Sequence, residues 1–471
     1  MAEQQTERSR LPLYLMLGGG VFLVACLLYA VFGGSDGSGG DSEAALEARC
    51  QFPSCRASGD PRLGRGYDGM SVAVDPADEN HIVVTDANMA AGKCTWHTTF
   101  DRGKEWIDGT FQEPAGYTGC HINGAAGGHV PTGPAGVAFG SNGVIYATYA
   151  SANQEQGTRE SVIVARSTDG GETFTASVAA RPPGDDVSYA RPQMTVVPSS
   201  TGGADRLLVS TWLCNQNGRF CPGALFLKSE DGGASWTTPV AIHPADIGVR
   251  SPSEPVVLPD QTILVTFIAD FDDGTASLHL AKSTDAGATF TSAIIDRQAR
   301  IGDRYDPAKM AFDPRANAIY LVFTDQRTGQ QQVFFRKSLD KGVTWSDPTG
   351  IAPDQNATST GVSRTPSVGV APNGRIDVVY YRTPAANTDN VFWASSVDGG
   401  VTFRSRQVNE SPIRRFEFNR AIGIWYPPDV ASVDSGAWVA WSDSKNSQEQ
   451  DENTQDVYLR RMVPVGADVP P

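Results

Sequence analysis

Four arginines stand just ahead of runs that read as β-strands: Arg191-Pro192, Arg250-Ser251-Pro252, Arg304-Tyr305-Asp306-Pro307 and Arg364-Thr365-Pro366. A guanidinium binds a carboxylate or other anion with two parallel hydrogen bonds, so four at one register would form an anion-binding rim. The plainer alternative is that each pairs with a carboxylate of its own blade, such as Asp306 or Glu254, and only holds the rim together. Cys94, His97, Cys120 and His121 carry the donor set of a two-Cys, two-His metal site. A Cys94–Cys120 disulfide accounts for those cysteines more simply, and no metal is expected there. The loop Asp270-Phe271-Asp272-Asp273-Gly274 has oxygens able to hold calcium, but it lacks full calcium-loop spacing and reads first as a solvated hairpin tip. There is no HExxH, no phosphate-cradling glycine loop and no G-x-S-x-G elbow, so metalloprotease, nucleotide-binding and serine-hydrolase chemistry have no support.

Composition narrows the partners. The formal net charge is -15, which repels a nucleic-acid backbone and excludes DNA or RNA as the expected ligand. With 19% charged residues, 49 Gly and 30 Pro, the chain suits a turn-rich globular fold better than a helical one.

The amino terminus predicts the location. Residues 11–32 contain no charge and, at about 1.5 Å per helical residue, match the roughly 30 Å bilayer core. Arg8 and Arg10 precede this run and Asp36, Asp41 and Glu43 follow it. The positive-inside rule then leaves residues 1–10 in the cytoplasm and the remainder outside, periplasmic or at the cell surface, on a single-pass anchor. Leu23-Val24-Ala25-Cys26 resembles a bacterial lipobox, and a cleaved signal peptide is a further alternative; the apolar continuation Leu27 to Val31 favours the uncleaved span. Residues 33–49 form a Gly/Ser/Asp-rich tether to a domain over 50–471. Outside the span the cysteines are even in number and fall as neighbours: Cys50 with Cys55, Cys94 with Cys120, Cys214 with Cys221. In an oxidising compartment they read as three loop staples, although six cysteines allow fifteen connectivities. Asn356-Ala357-Thr358 and Asn409-Glu410-Ser411 match a glycosylation pattern that matters only in a eukaryotic host.

The elements that must position these groups come from a repeat. Apolar, β-branched runs begin near Ile82, Ile145, Leu207, Ile263, Ile319, Ile376 and Ala437, spaced roughly sixty residues apart. Each belongs to a set of short strands separated by turn residues. Five sets are followed by S/T-x-D-x-G-x-T/S-F/W, built on Asp169, Asp231, Asp285, Asp340 and Asp398, and a looser copy sits at Asp101. In this reading the motif is the turn from third to fourth strand, with Asp and Ser/Thr satisfying loop amides and Gly taking a positive φ. Its aromatic packs on its own or a neighbouring blade. Seven strand sets and six such turns predict an all-β, seven-bladed propeller, with six blades as the alternative. A strand near residues 50–62 would complete the last blade and remove the open sheet edge.

The motif is the Asp-box, and over residues 65–462 the chain resembles the sialidase-like (BNR) propeller family. That resemblance implies structural boxes away from the site, and a binding site at one mouth of the central channel. It also implies, for an enzyme, arginines holding a substrate carboxylate, a Tyr–Glu nucleophile and an Asp acid/base. Positions in compatible order are Asp68 or Asp86, Glu254, Arg304, Arg364 and Tyr426. The family's Phe/Tyr-Arg-Ile-Pro signature is missing, its nearest counterpart being Asp60-Pro61-Arg62-Leu63-Gly64-Arg65. The expectations are therefore a cofactor-free, membrane-tethered module binding an acidic glycan or other anionic ligand, an exo-sialidase-type glycoside hydrolase, or a scaffold subunit with envelope protein partners.

Overall fold

The computed structural model describes residues 62–65, 70–88, 93–119, 136–153, 159–184, 186–215, 223–245, 247–270, 276–297, 308–351, 361–385, 388–414, 427–443 and 456–465. The expected membrane span, the tether, Asp68, Arg304 and Tyr426 lie outside them. Among the described residues no helix is long and apolar enough to cross a membrane.

Seven antiparallel sheets follow one another along the chain, here blades I to VII. Blade I runs Ser71–Asp75, Asp78–Asn88, Lys93–Thr99 and Ile107–Thr110, each strand bonded to the next. The first strands of blades II to VII begin at Gly136, Val187, Gly248, Lys309, Val362 and Asp429. First strands of successive blades touch one another from I to III and from IV through VII back to I, and Thr195 of blade III donates to Pro255 O of blade IV, so they ring a centre. Blade VII is built from both ends of the described chain. Its three C-terminal strands, Asp429–Val433, Gly436–Asp443 and Asp456–Met462, receive Arg62–Arg65 as the fourth, with Gly64 opposite Val457 and Arg65 opposite Asp456. The closing strand thus lies just beyond the stretch expected from sequence, and the segment compared with the missing sialidase signature supplies it. Seven blades replace the six-bladed alternative.

All six Asp-boxes are the turns from third to fourth strand. In blade II, Ser167 Oγ donates to Asp169 Oδ1 at 2.6 Å and accepts from Gly171 N at 2.8 Å; Asp169 Oδ1 also accepts the amides of Glu172 and Thr173. The pattern recurs around Asp101, Asp231, Asp285, Asp340 and Asp398. Hydrogen bonds from Ser235, Thr289 and Thr344 hold Asp231, Asp285 and Asp340 down at about 2, so these turns stay charged through any physiological pH.

The box aromatic fastens its blade to the preceding one. Phe290 of blade IV meets Phe226 of blade III at 5.1 Å between ring centres, and Phe403 of blade VI meets Phe335 of blade V at 5.0 Å. A Cβ on Gly287 or Gly400 would overlap those same rings, and both residues have positive φ, so glycine is required there twice over.

The position before the box glycine is also left-handed. It is Gly170, Gly232 and Gly399 in three blades but Arg102, Ala286 and Lys341 in the others, at φ 57 to 61. Ala286→Gly is therefore expected to stabilise the protein by roughly 0.5–1 kcal/mol, the reverse of the usual helix or strand result. Thermal unfolding of the variant beside wild type checks this, with a lowered midpoint as the contrary result.

Candidate functional site at the hub

Strand register shows which side chains meet at the centre. In six blades the strand pairing itself fixes which first-strand residue faces the fourth residue of the core run. Ser71 faces Thr85, Gly136 faces Thr148, Gln193 faces Ser210, Lys309 faces Val322, Ser367 faces Val379 and Asp429 faces Ala440. In blade IV the backbone bond from Ser253 N to Thr266 O at 2.9 Å sets Ser253 against the fourth core residue, and Glu254 follows it directly. Hydroxyls fasten these strands edge to edge. Ser210 Oγ donates to Ser253 O of blade IV at 2.6 Å, and Thr266 Oγ1 donates to Ala308 O of blade V at 2.9 Å. Each acceptor immediately precedes a hub residue, so the second strand of one blade sets the hub side chain of the next.

The hub is polar. Lys309 Nζ donates to Gln193 Oε1 at 2.6 Å and Glu254 Oε1 at 3.2 Å. Gln193 belongs to blade III and Lys309 to blade V, which are not neighbours, so this contact runs across the centre. On the other side Asp429 Oδ2 accepts Ser71 Oγ at 2.8 Å and Val72 N at 2.9 Å. Glu254 keeps 39% of its side-chain surface open and is otherwise enclosed by the protein. That enclosure pushes its carboxyl up; Lys309 pulls it back down, and the Asp429 carboxylate raises it again.

The expected arginine rim is not assembled at one register. Arg364 lies opposite Tyr381 and Arg250 opposite Ile268, equivalent places, but in blade III Ala190 opposite Trp212 occupies that place. Arg191 is one residue further on, inside a bulge at φ 49, and its guanidinium stacks on Trp212 at 5.5 Å from the ring centre. A slip of one residue reverses the face a side chain occupies, which is why sequence spacing alone aligned it wrongly. Arg364 is buried, with Nη2 donating to Asp389 Oδ2 at 2.7 Å and Nη1 to Asp389 Oδ1 at 3.2 Å. Its pairing partner is therefore neither Asp306 nor Glu254, and Glu254 pairs with Lys309 instead. For Arg250 the backbone position alone is described.

Of the early acid candidates, Asp86 is described. It is fully buried in blade I, where it accepts a hydrogen bond from Thr95 and lies 3.5 Å from His97 Nε2. His97 Nδ1 is 2.8 Å from Asp108 Oδ1. Burial alone would lower this imidazole, yet hydrogen bonds with Asp108 and Asp86 more than offset that and raise it to about 9. His97 is a buried cation between two carboxylates. Cys94 and Cys214 are buried and disulfide-bonded; the other cysteines lie outside the described residues, as do Asp272 and Asp273 of the calcium-capable loop. Among the described residues no group of three or more His, Cys, Asp or Glu could hold a metal. Asn409 is 2% exposed, its Oδ1 accepting Val391 N at 2.8 Å and its Nδ2 donating to Ser411 O, so it offers no glycosylation site.

The His97 arrangement has a pH consequence. Its folded value exceeds the ordinary 6.5, so its contribution to stability is complete below about pH 6.5 and is lost as pH rises through about 9. Wild type is expected to lose on the order of 3 kcal/mol across that window, and His97→Gln to lose much less. Chemical denaturation at pH 6 and pH 9.5 measures both; parallel losses in the two proteins would refute the assignment.

A cleft of about 610 Å³ opens between blades II and III on the box side, beside Tyr146, Arg166, Asp205 and Asp231. Its carboxylates are already engaged: Asp205 with the amides of Ser141 and Ser199, Asp231 with its own box.

The sequence reading named Glu254 at the hub but missed Ser71, Gln193, Lys309 and Asp429. The signal was present in the short Pro-led entries to the first strands, Pro192-Gln193, Pro307-Ala308-Lys309 and Pro428-Asp429, once counted from the core runs instead of from the arginines.

No protein-family model matches the chain, and no curated protein matches it. Solved structures do. A protein of unknown function from Dyadobacter fermentans DSM 18053 is 14% identical at a TM-score of 0.47, covering 75% of this chain and 97% of that one. A Hadza microbial sialidase, Hz136, is 15% identical at 0.47, covering 81% and 76%. An α-L-arabinofuranosidase of Fusarium graminearum is 16% identical at 0.44, covering 69% and 91%. At these values the likenesses decide neither ligand nor reaction, and the propeller fold stands on the strand order given above.

Proposed function

We propose that this chain is a membrane-tethered propeller displayed outside the cytoplasm that binds an acidic glycan or other anionic, hydroxyl-rich ligand at the mouth of its central channel. The polar hub carries the reading. Side chains from five blades converge on the centre, where a purely structural ring would be filled with apolar groups, and one of them is the Lys309 ammonium. Gln193, Glu254, Asp429 and Ser71 supply the donors and acceptors that sugar hydroxyls require, and Arg250 and Arg304 are the remaining candidates for a ligand carboxylate at the mouth. Export is supported by the charge-free run 11–32 behind Arg8 and Arg10, and by disulfide-bonded Cys94 and Cys214. The pairings Cys94–Cys120 and Cys214–Cys221 belong to the same proposal. Binding of the full-length chain to an array of acidic and neutral glycans tests it. Retention of acidic members that weakens in Arg250→Ala/Arg304→Ala is expected; no retention on any member refutes the reading.

A second reading is favoured by one observation. Burial and the Asp429 carboxylate both push the Glu254 carboxyl up, and two carboxyls whose environments set them apart are the pair that glycoside hydrolysis uses. Turnover of fluorogenic sialosides or arabinofuranosides, lost in Glu254→Gln or Tyr426→Phe, would establish the hydrolase over the binding module.

A further inference from the structure

Between blades I and II the chain leaves the outer strand Ile107–Thr110 and crosses to blade II as a strap, residues 111–119. Phe111 N donates to Cys94 O of blade I; Gln112 bridges to Thr175 and Tyr117 to Asn153, both in blade II. Thr118 N donates to Ala152 O at 3.2 Å, Gly119 N to Ser151 Oγ at 3.1 Å, and the Tyr117 hydroxyl to Ser161 Oγ at 3.2 Å. The strap itself carries a titratable group with no part in the hub. Both Glu113 carboxyl oxygens are sealed from solvent, and neither makes a well-aligned hydrogen bond; the hydroxyl of fully buried Tyr149 is in the same condition. The charged and titratable groups facing Glu113 are Lys93 from blade I and Tyr149 from blade II, with the Ser151 hydroxyl beside them. A carboxylic acid is tolerated in such a place, but a carboxylate without aligned donors is costly there.

We propose that residues 111–119 form a pH-operated latch across blades I and II, docked while Glu113 carries its proton and released when that carboxyl ionises. Burial raises the group to about 7, against which Tyr149, Ser151 and Lys93 pull only partly. The sign follows. An acid raised in the docked state favours docking at low pH, and docking weakens as pH climbs from the ordinary value of 4.5 towards 7.

Hydrogen exchange of the Thr118 and Gly119 amides in the full-length chain tests the latch, read between pH 4.5 and 6.5, below the window in which His97 acts. After correction for intrinsic exchange, the opening equilibrium should rise roughly 30-fold over that range, while amides of the blade II core such as Ile163 change little. In Glu113→Gln the rise should vanish. Tyr149→Phe, which keeps the ring and removes the hydroxyl, should keep a pH-dependent opening with a shifted midpoint. An opening equilibrium flat with pH in wild type, or an unchanged rise in Glu113→Gln, overturns the proposal.

Discussion

Arg375→Ala is expected to cost about 3–5 kcal/mol, a large share of the 5–15 kcal/mol that usually holds a domain together. Arg375 is wholly buried where blade VI meets blade VII. Its Nε and Nη2 donate to the two oxygens of Asp377 at 2.9 and 3.0 Å. The same Nη2 reaches Val433 O at 2.8 Å and Gly436 O at 2.7 Å in the next blade, and Nη1 reaches Asp434 O at 3.3 Å. Truncation would strip the Asp377 carboxylate, already raised by burial, of its cation and leave Trp393 Nε1 donating to it at 2.9 Å. The guanidinium serves two blades at once, so Arg375→Lys should recover only a minor part: an ammonium cannot reproduce the fork. Arg375→Met combined with Asp377→Leu should lose less than Arg375→Ala, because no charge is then left buried. Urea unfolding of the three variants orders them, and a loss below about 1 kcal/mol for Arg375→Ala would contradict the staple.

Lys309→Met is expected to abolish ligand retention at the hub and to lower stability by about 1.5–3 kcal/mol near pH 8, the usual worth of a hydrogen bond to a charged partner. The methionine fills the space of the lysine stem but donates to neither Gln193 nor Glu254. Glu254 would then lose the Lys309 ammonium while still feeling the Asp429 carboxylate, and its carboxyl would rise further. The penalty should therefore be small near pH 3.5, about one unit below the ordinary 4.5 of this raised carboxyl, and grow as pH climbs. Lys309→Met/Glu254→Gln should regain most of the stability and none of the binding. A penalty independent of pH would place Lys309 outside the hub.

Much of this was legible in the sequence, and the limits have physical causes. The seven core runs and six Asp-box turns announced themselves because each must repeat the same backbone demands: a β-branched strand, a serine and aspartate for loop amides, a glycine at positive φ. Closure by an amino-terminal strand followed from the need to cover an edge, although its four residues carry no repeat signature and lay just past the expected stretch. The hub was less visible. Lys309, Gln193 and Asp429 are different residue types in equivalent positions, so no motif links them; only register does. The bulges at Arg191-Pro192 and Arg364-Thr365-Pro366 break simple counting from the chain, and in blade III that break moved an arginine off the expected face. The carboxylate partners of His97 were not legible, because spacing cannot show that Asp86 and Asp108 flank it on neighbouring strands.

Blade VII, assembled from the two ends of the described chain, is what closes the ring and gives the hub a circumference. Gly64→Cys with Val457→Cys places two thiols on residues directly opposite in the antiparallel pair, within the reach of a disulfide. Mild oxidation of the full-length double variant, followed by non-reducing peptide mapping, should give an intramolecular link between the segments holding positions 64 and 457. Absence of that link, or its appearance only between molecules, would contradict the closed seven-bladed ring.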